Sequence, residues 1–273
     1  MRDRAAGPRR ATGTCSAIIG ALLAAAACDQ APAAPTGLPP SPGPGAAPIR
    51  VLMLTATAGF RHDSIATARQ VMASLGASSG EFVVTPTEDV SAITAARLAS
   101  FDVLFFALTS GELPLTADQQ AAIVNLVSSG GGFLGVHSAS DTLYGWPEYG
   151  RLVGAYFNGH PWTQQATVIV EDPSHPAAAN LGDRFAILEE FYTFADNPRP
   201  RVQVLLRLDD RSVGASGDYP LAWAQSFGAG RTYYNALGHF SETWIDARFQ
   251  RQIAGAIRWA APVNRRNLRP ETS

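Results

Sequence analysis

The pattern of apolar and polar positions changes at residue 49. From there to about residue 261, short apolar runs alternate with segments of helical spacing. The apolar runs predict strands over residues 49–55, 82–85, 103–108 and 133–136, and the amphipathic segments predict helices over 64–75 and 116–127. Apolar strands separated by helices are typical of a parallel sheet covered on both faces. The pattern therefore predicts a doubly wound, flavodoxin-like α/β domain.

The second half of this region is richer in β-structure. Its runs predict strands over residues 167–171, 185–194, 202–208, 221–227 and 231–237, a hairpin turn over 226–231, and a closing helix over 245–260. We find no internal repeat and no boundary for a second domain, so residues 49–261 are predicted to form one domain with a mostly parallel sheet. Ligands bind beyond the carboxyl ends of the strands in such sheets, which directs attention to the segments after each strand.

The N-terminal pattern predicts export. Four arginines precede a short apolar run that ends at Cys28, and the run is too short for a membrane helix, which needs about 20 apolar residues. Small residues before Cys28 resemble a bacterial lipobox, although Ala25 stands where leucine is usual, so ordinary signal-peptide cleavage is the alternative. Residues 1–27 are expected to be a signal peptide, and the mature protein is expected in the periplasm or at the cell surface, anchored to a membrane by a lipid on Cys28.

The segments that flank the domain are predicted to be disordered. Residues 28–48 contain seven prolines among alanine and glycine and no aromatic residue, which is the composition of an extended tether. Residues 262–273 are expected to form a disordered tail.

Composition excludes several chemistries. All 21 basic residues among the 273 are arginine, and the only cysteines are Cys15 and Cys28. The domain therefore has no thiol nucleophile, no disulfide, no lysine for a Schiff base and no Walker lysine. The net charge of -2 and the scattered arginines predict no nucleic-acid partner. The oligomeric state is left open.

The five histidines stand in loops or at strand ends. His62 follows the first predicted strand, His137 the fourth and His239 the last, so the topology is expected to bring these three to one edge of the sheet. The glycine-rich run before His137 resembles a nucleophile elbow, with His137 at its apex. An imidazole there can act as a base, a nucleophile or a metal ligand, but it cannot form a glutamyl thioester.

Nine ordered motifs carry a family resemblance. They are GFRHDS at 59–64, GGGFLGVH at 130–137, DTLYGWP at 141–147, YGRLVG at 149–154, GHPW at 159–162, DPSHP at 172–176, EEFY at 189–192, YPLAW at 219–223 and GRTYYNALGH at 230–239. Together they resemble the ThuA-like (trehalose utilisation) family over about residues 49–261. The resemblance implies a class I glutamine amidotransferase-like fold in which the elbow cysteine is replaced by His137, and a setting in sugar metabolism. His239 with Glu242 resembles the remaining part of an amidotransferase triad.

Histidines and a glutamate suggest a metal site. The candidate ligands are His62, His137, His160, Glu190 and His239, which offer nitrogen and oxygen atoms suited to zinc, manganese or a related divalent ion. Strand alternation places Glu189 and Glu190 on opposite faces, so only one can face the site. Glu190 is the choice because Tyr192 would share its side, and Glu189 is the alternative.

Aromatic and polar residues near His137 and His160 predict a carbohydrate cleft. Trp146 and Trp162 are expected to stack on the apolar face of a sugar, with Asp141, Asn158 and Tyr192 as further substrate-binding groups. Core packing is the alternative use of the aromatic residues.

Three functions are compatible with these features. The leading hypothesis is an exported enzyme of carbohydrate metabolism, of trehalose or keto-sugar type, with His137 and His239, supported by Glu242, in acid/base or metal-ligand roles. Its reaction would be that of a hydrolase, lyase or isomerase on a sugar or an oxidised sugar. The alternatives are a noncatalytic carbohydrate-binding protein and a tethered interaction module whose histidines are structural.

Overall fold

The computed structural model describes residues 47–262. The expected signal peptide (1–27), the lipidation site Cys28, nearly all of the expected tether (28–48) and residues 263–273 of the expected tail lie outside the described residues, so these assignments stay predictions. Within residues 47–262, no helix has both the length and the apolar character needed to cross a membrane.

Nine strands form one mixed sheet in the described part of the chain. They are β1 (Ile49–Leu54), β2 (Phe82–Thr87), β3 (Val103–Ala107), β4 (Gly132–Val136), β5 (Trp162–Val170), β6 (Arg184–Phe191), β7 (Gln203–Leu208), β8 (Pro220–Phe227) and β9 (Gly230–Asn235). Their order across the sheet is β2-β1-β3-β4-β9-β8-β7-β5-β6. The pairs from β2 to β9 are parallel, whereas those from β9 to β6 are antiparallel. The expected parallel pairing thus describes one half of the sheet.

Helices cover both faces of the parallel half. They are α1 (Ile65–Ser79), α2 (Ala95–Leu98), α3 (Ala117–Ser128), α4 (Pro147–Val153), α5 (Ser241–Ile245) and α6 (Ala247–Ala260). The Cβ position of Gly132 on β4 faces Ala260 of α6, while that of Gly135 faces Val153 of α4. Every residue of β3 and β4 is buried, which agrees with their continuous apolar sequences. The chain therefore has an α/β fold.

Helix boundaries follow capping residues. A capping box starts α3, because the Thr116 hydroxyl accepts a hydrogen bond from Gln119 N (3.3 Å) and the Gln119 side chain accepts one from Thr116 N (2.8 Å). The predicted helix over 245–260 is divided. Asp246 has extended backbone geometry, and its carboxylate accepts a hydrogen bond from Arg248 N, so a new helix begins at Ala247.

The antiparallel half of the sheet curls back towards the parallel half. Strands lie about 4.8 Å apart, so a flat sheet would place β6 roughly 19 Å from β9, four positions away. Yet Glu189 of β6 accepts a hydrogen bond of 2.9 Å from Gly238 N, three residues after β9. This curvature brings β6 beside the carboxyl ends of the parallel strands.

Candidate functional site

His137 occupies a tight turn directly after β4. Its side chain is fully buried, and its φ of 54° lies in the left-handed region, which costs a residue with a Cβ roughly 1–2 kcal/mol. The turn is held by the backbone carbonyl of His137, which accepts hydrogen bonds from the Tyr234 hydroxyl (2.8 Å) and Ser140 Oγ (3.3 Å). Strained non-glycine residues of this kind are concentrated at functional sites.

Three strand ends bring their histidines together here. His62 lies in the loop after β1, and His239 lies in the loop after β9. The centroids of the His62 and His137 rings are 4.7 Å apart, those of His62 and His239 are 5.1 Å apart, and those of His137 and His239 are 5.3 Å apart. The convergence expected from the topology is therefore present in the structure.

Glu190 lies at the centre of these histidines. Its Oε2 is 3.1 Å from His239 Nδ1 and 3.4 Å from His137 Nε2. Its other oxygen, Oε1, is 3.2 Å from Nδ1 of His160, whose side chain is 47% exposed. Ligand atoms from His62, His137, Glu190 and His239 all lie within 4.8 Å of one another, and we call these four residues the histidine–glutamate cluster. His160 adjoins the cluster and orients Glu190.

The hydrogen bonds of His137 fix where its lone pair points. Nδ1 is 2.7 Å from the carbonyl oxygen of Ala236, which can only accept, so Nδ1 carries the proton. The lone pair of the neutral imidazole is therefore on Nε2, and the Tyr192 hydroxyl donates to it at 2.9 Å. Nε2 is thus presented towards Glu190 and His239 as a ligand or base.

Burial and mutual contacts shift the acidity of the cluster. Burial, reinforced by His137 and His239, lowers the pKa of His62 to about 3. Burial acts to raise the pKa of Glu190, but its close contacts with His137 and His239 outweigh burial and hold that pKa well below its usual range. The hydrogen bond to Glu190 raises the pKa of His239, and burial raises that of the Tyr192 phenol. At neutral pH the cluster thus holds an ionised carboxylate, a neutral His62 and a neutral phenol.

The donor set fits a divalent metal ion. Ligands about 2.1 Å from a tetrahedral ion are about 3.4 Å from one another. The separations of 3.1–3.4 Å that join Glu190 Oε2, His137 Nε2 and His239 Nδ1 are close to that value. Three imidazoles and one carboxylate are a donor set for zinc, manganese or a related ion.

Glu189 holds the loop that carries His239. It lies on the opposite face of β6 and is fully buried. Its Oε1 accepts a hydrogen bond from His239 N (3.0 Å), and its Oε2 accepts from Gly238 N (2.9 Å) and Thr243 Oγ1 (2.6 Å). Both glutamates thus serve the site, one facing the cluster and the other fixing its backbone. Sequence reasoning treated them as alternatives and missed the role of Glu189.

The partner expected for His239 is different in the structure. Glu242 is exposed in the first turn of α5, and its backbone carbonyl accepts a hydrogen bond from Asp246 N. His239 pairs with Glu190 instead. Two carboxylates from β6 replace the one that the triad resemblance implied, because the curled sheet brings β6 to this loop.

The expected substrate-binding residues are placed in different surroundings. Tyr192 contacts the cluster through His137. Asp141 accepts a hydrogen bond from the Tyr144 hydroxyl (2.7 Å), and Asn158 is exposed and donates its backbone N–H to Thr193. Trp146 is only 7% exposed and stacks on Tyr149, while Trp162 packs its ring edge-on against Tyr219. Trp146 therefore packs in the core.

The fifth histidine, His175, lies apart from the cluster and gives a prediction for stability. Burial lowers its pKa from 6.5 to about 4. Between these pH values the unfolded chain therefore binds more protons than the folded one. The contribution of neutral His175 to the free energy of unfolding is complete above pH 6.5 and is lost as the pH falls towards 4. We expect a loss of about 1–2 kcal/mol at pH 5 from this residue.

The substitution His175→Asn tests this expectation. His175 Nδ1 accepts a hydrogen bond from Ala177 N (3.1 Å), which the Asn carbonyl oxygen can also accept two residues ahead in an Asx turn. The measurement is chemical denaturation of both proteins at pH 7 and pH 5. We expect a smaller loss between the two pH values in the variant, and equal losses would contradict the assignment.

Family and structure comparisons identify similar proteins. The ThuA family, described as trehalose utilisation, matches residues 50–260. A ThuA-like protein from Bacteroides uniformis is 26% identical, with a TM-score of 0.68 over 82% of this chain and 95% of that chain. A ThuA-like protein from Parabacteroides merdae is 19% identical, with a TM-score of 0.65 over 78% and 90% of the two chains. A cytoplasmic protein from Salmonella typhimurium is 12% identical, with a TM-score of 0.53 over 78% and 99%. No curated protein matches the sequence.

Proposed function

The chain belongs to the trehalose utilisation (ThuA) family, and from that membership we propose that it is an enzyme acting on a sugar or an oxidised sugar at the histidine–glutamate cluster. The observation that supports this proposal is the convergence of three imidazoles and one carboxylate within 4.8 Å. Buried titratable groups in such an arrangement are typical of a catalytic or metal site. The proposal also includes the fold type. We propose a class I glutamine amidotransferase-like, doubly wound fold in which His137 stands in place of the elbow cysteine.

The residues divide into those that hold an ion and those that act on substrate. His62, His137, Glu190 and His239 would hold a divalent ion, which when bound supplies Lewis-acid polarisation of a sugar oxygen. Tyr192 presents a neutral hydroxyl beside His137 Nε2, and with Nε2 occupied by an ion that hydroxyl would be free to donate a hydrogen bond to a substrate oxygen. His160 is half-exposed and contacts Glu190 Oε1, so it lies between the cluster and solvent. These roles suit a hydrolase, a lyase or an isomerase.

Noncatalytic sugar binding is the second candidate. The observation that favours it is that Glu190 already pairs with His137, His160 and His239, so the polar groups satisfy one another without further partners. Such a network can be a purely structural element.

Export and lipid anchoring at Cys28 also belong to the proposal, and incorporation of labelled palmitate into the wild type but not into Cys28→Ala tests them.

Metal content and turnover distinguish the two candidates. The purified chain is stripped with a chelator, reloaded with zinc, manganese or cobalt, and incubated with trehalose, glucose and their 3-keto forms. We expect about one ion per chain, turnover of at least one sugar, loss of turnover on chelation and recovery on reloading. Sugar binding without turnover under all loadings would support the second candidate. If the chain neither binds nor turns over any of these sugars, both candidates are overturned.

A further inference from the structure

Each histidine at this site has an aromatic ring packed against it. The pairs and their centroid distances are His62 with Phe60 (4.8 Å), His137 with Tyr192 (4.2 Å), His160 with Phe157 (5.9 Å) and His239 with Phe240 (4.5 Å). Tyr192 is buried, whereas Phe157 and Phe240 are half-buried and Phe60 is 65% exposed. The polar cluster is therefore bordered by phenyl rings that solvent or a ligand can reach.

Phe60 is held in its exposed position by a well-fixed loop. Its carbonyl accepts a hydrogen bond from Ser110 Oγ (2.5 Å), and Ser110 O accepts one from Ala58 N (2.7 Å). A Cβ on Gly111 would lie 2.6 Å from Gly59 N, so the two loops are in close backbone contact. A single exposed apolar side chain is common on protein surfaces. The Phe60 ring, by contrast, packs edge-on against the buried His62 of the cluster. The loop that carries it is fixed by its contacts with the neighbouring loop.

The charges around the cluster favour an uncharged ligand. Glu189 and Glu190 are buried there, and Asp63 adds negative charge beside His239. Arg61, the cation adjacent to His62 in sequence, is directed to Glu88 through two hydrogen bonds of 2.9 and 3.1 Å. Within residues 47–262, none of the hydrogen bonds and ion pairs of the cluster involves an arginine. A phosphate or carboxylate on a part of the ligand away from the bound ion would thus find no arginine to pair with, although such groups usually require one.

We propose that Phe60, together with Phe240, forms a stacking platform for the apolar face of an uncharged sugar ring, and that Phe60 determines which sugars the cluster accepts. This inference rests on the proposed function and adds the substrate class and a specificity residue. Sugar rings expose C–H groups on one face while their hydroxyls point outwards, so an aromatic platform beside polar ligand atoms complements both. Both platform residues are phenylalanines, whereas the sequence pattern predicted that Trp146 and Trp162 would stack on the sugar.

Variants of Phe60 in the full chain test the platform. A stacked ring contributes about a factor of 10 in affinity. We therefore expect Phe60→Ala to raise the KM and the Kd of the best sugar about 10-fold, with a much smaller change in kcat and unchanged metal content. Phe60→Trp is expected to restore affinity and to give a saturable change in tryptophan fluorescence with that sugar. Val83→Ala, which shortens an exposed apolar side chain on the edge strand β2, is the matched control.

The charge argument is tested with the same Phe60→Trp protein. Trehalose and glucose are titrated against trehalose 6-phosphate and glucose 6-phosphate. We expect the uncharged sugars to bind at least 10-fold more tightly, and tighter binding of the phosphates would overturn the inference.

The outcomes separate this inference from the proposed function. Metal-dependent turnover that is the same in wild type and Phe60→Ala would overturn the platform and leave the function standing. Phe60-dependent sugar binding without turnover would support the platform and contradict the proposal that the chain is an enzyme. If no sugar of the panel changes the fluorescence of Phe60→Trp or binds to the wild type by calorimetry, the platform is overturned.

Discussion

Replacing His137 with alanine is expected to lower kcat/KM for the sugar substrate by about 10³-fold or more and to weaken metal binding. The Nδ1–H of this imidazole donates to Ala236 O at 2.7 Å, which holds Nε2 3.3 Å from His239 Nδ1 and 3.4 Å from Glu190 Oε2. The variant loses a ligand and the acceptor of the Tyr192 hydroxyl in one step. Steady-state kinetics and metal analysis of the same preparations give the measurement.

A second substitution tests whether misfolding could account for the loss of turnover and metal binding in His137→Ala. Asparagine tolerates the left-handed φ of 54° better than most residues, so His137→Asn is expected to keep the turn while losing the ring. His175→Asn removes a histidine outside the cluster and is expected to keep turnover near the wild-type value. If His137→Asn folds, as judged by its thermal transition, and retains turnover within about tenfold, the role given to His137 fails.

The parallel strands were predictable because burial dictates their sequences. Predicted and observed ends differ by at most one residue for β1, β3 and β4, whose side chains are mostly buried and apolar. β5 begins at Trp162, five residues before the predicted start, since residues 163–165 are exposed, polar and paired only with β6. A polar edge segment carries no apolar pattern, so only its strand partner defines it.

The candidate site was predictable where it follows from topology. His62, His137 and His239 come directly after parallel strands, and the carboxyl ends of such strands meet at one edge. The carboxylates could not be assigned in this way. Glu189 and Glu190 reach the site because the antiparallel half curls, and that curvature depends on long-range packing that strand alternation does not report. The resemblance to an amidotransferase triad favoured Glu242, which α5 presents to solvent.

Replacing Glu189 with glutamine is expected to destabilise the fold by about 2–3 kcal/mol and to weaken metal binding about 10- to 100-fold. The carboxylate oxygens accept hydrogen bonds from Gly238 N, His239 N and Thr243 Oγ1, all within 3.0 Å. A glutamine has one oxygen, so its NH₂ group must face a buried donor that is left without an acceptor. The loop then relaxes, and His239 Nδ1 loses its position 3.1 Å from Glu190.

Glu81→Gln separates this positioning role from a general loss of stability. Glu81 is another buried glutamate, and it pairs with Arg258 at 2.6 Å, between the start of β2 and helix α6. Both variants are expected to unfold at lower denaturant concentration, but only Glu189→Gln is expected to change metal affinity and the absorption spectrum of a bound cobalt ion. Because the cobalt spectrum reports ligand geometry, an unaltered spectrum and affinity in Glu189→Gln would reduce Glu189 to a structural residue. A change in that variant alone would show that the orientation of His239 depends on the carboxylate behind it.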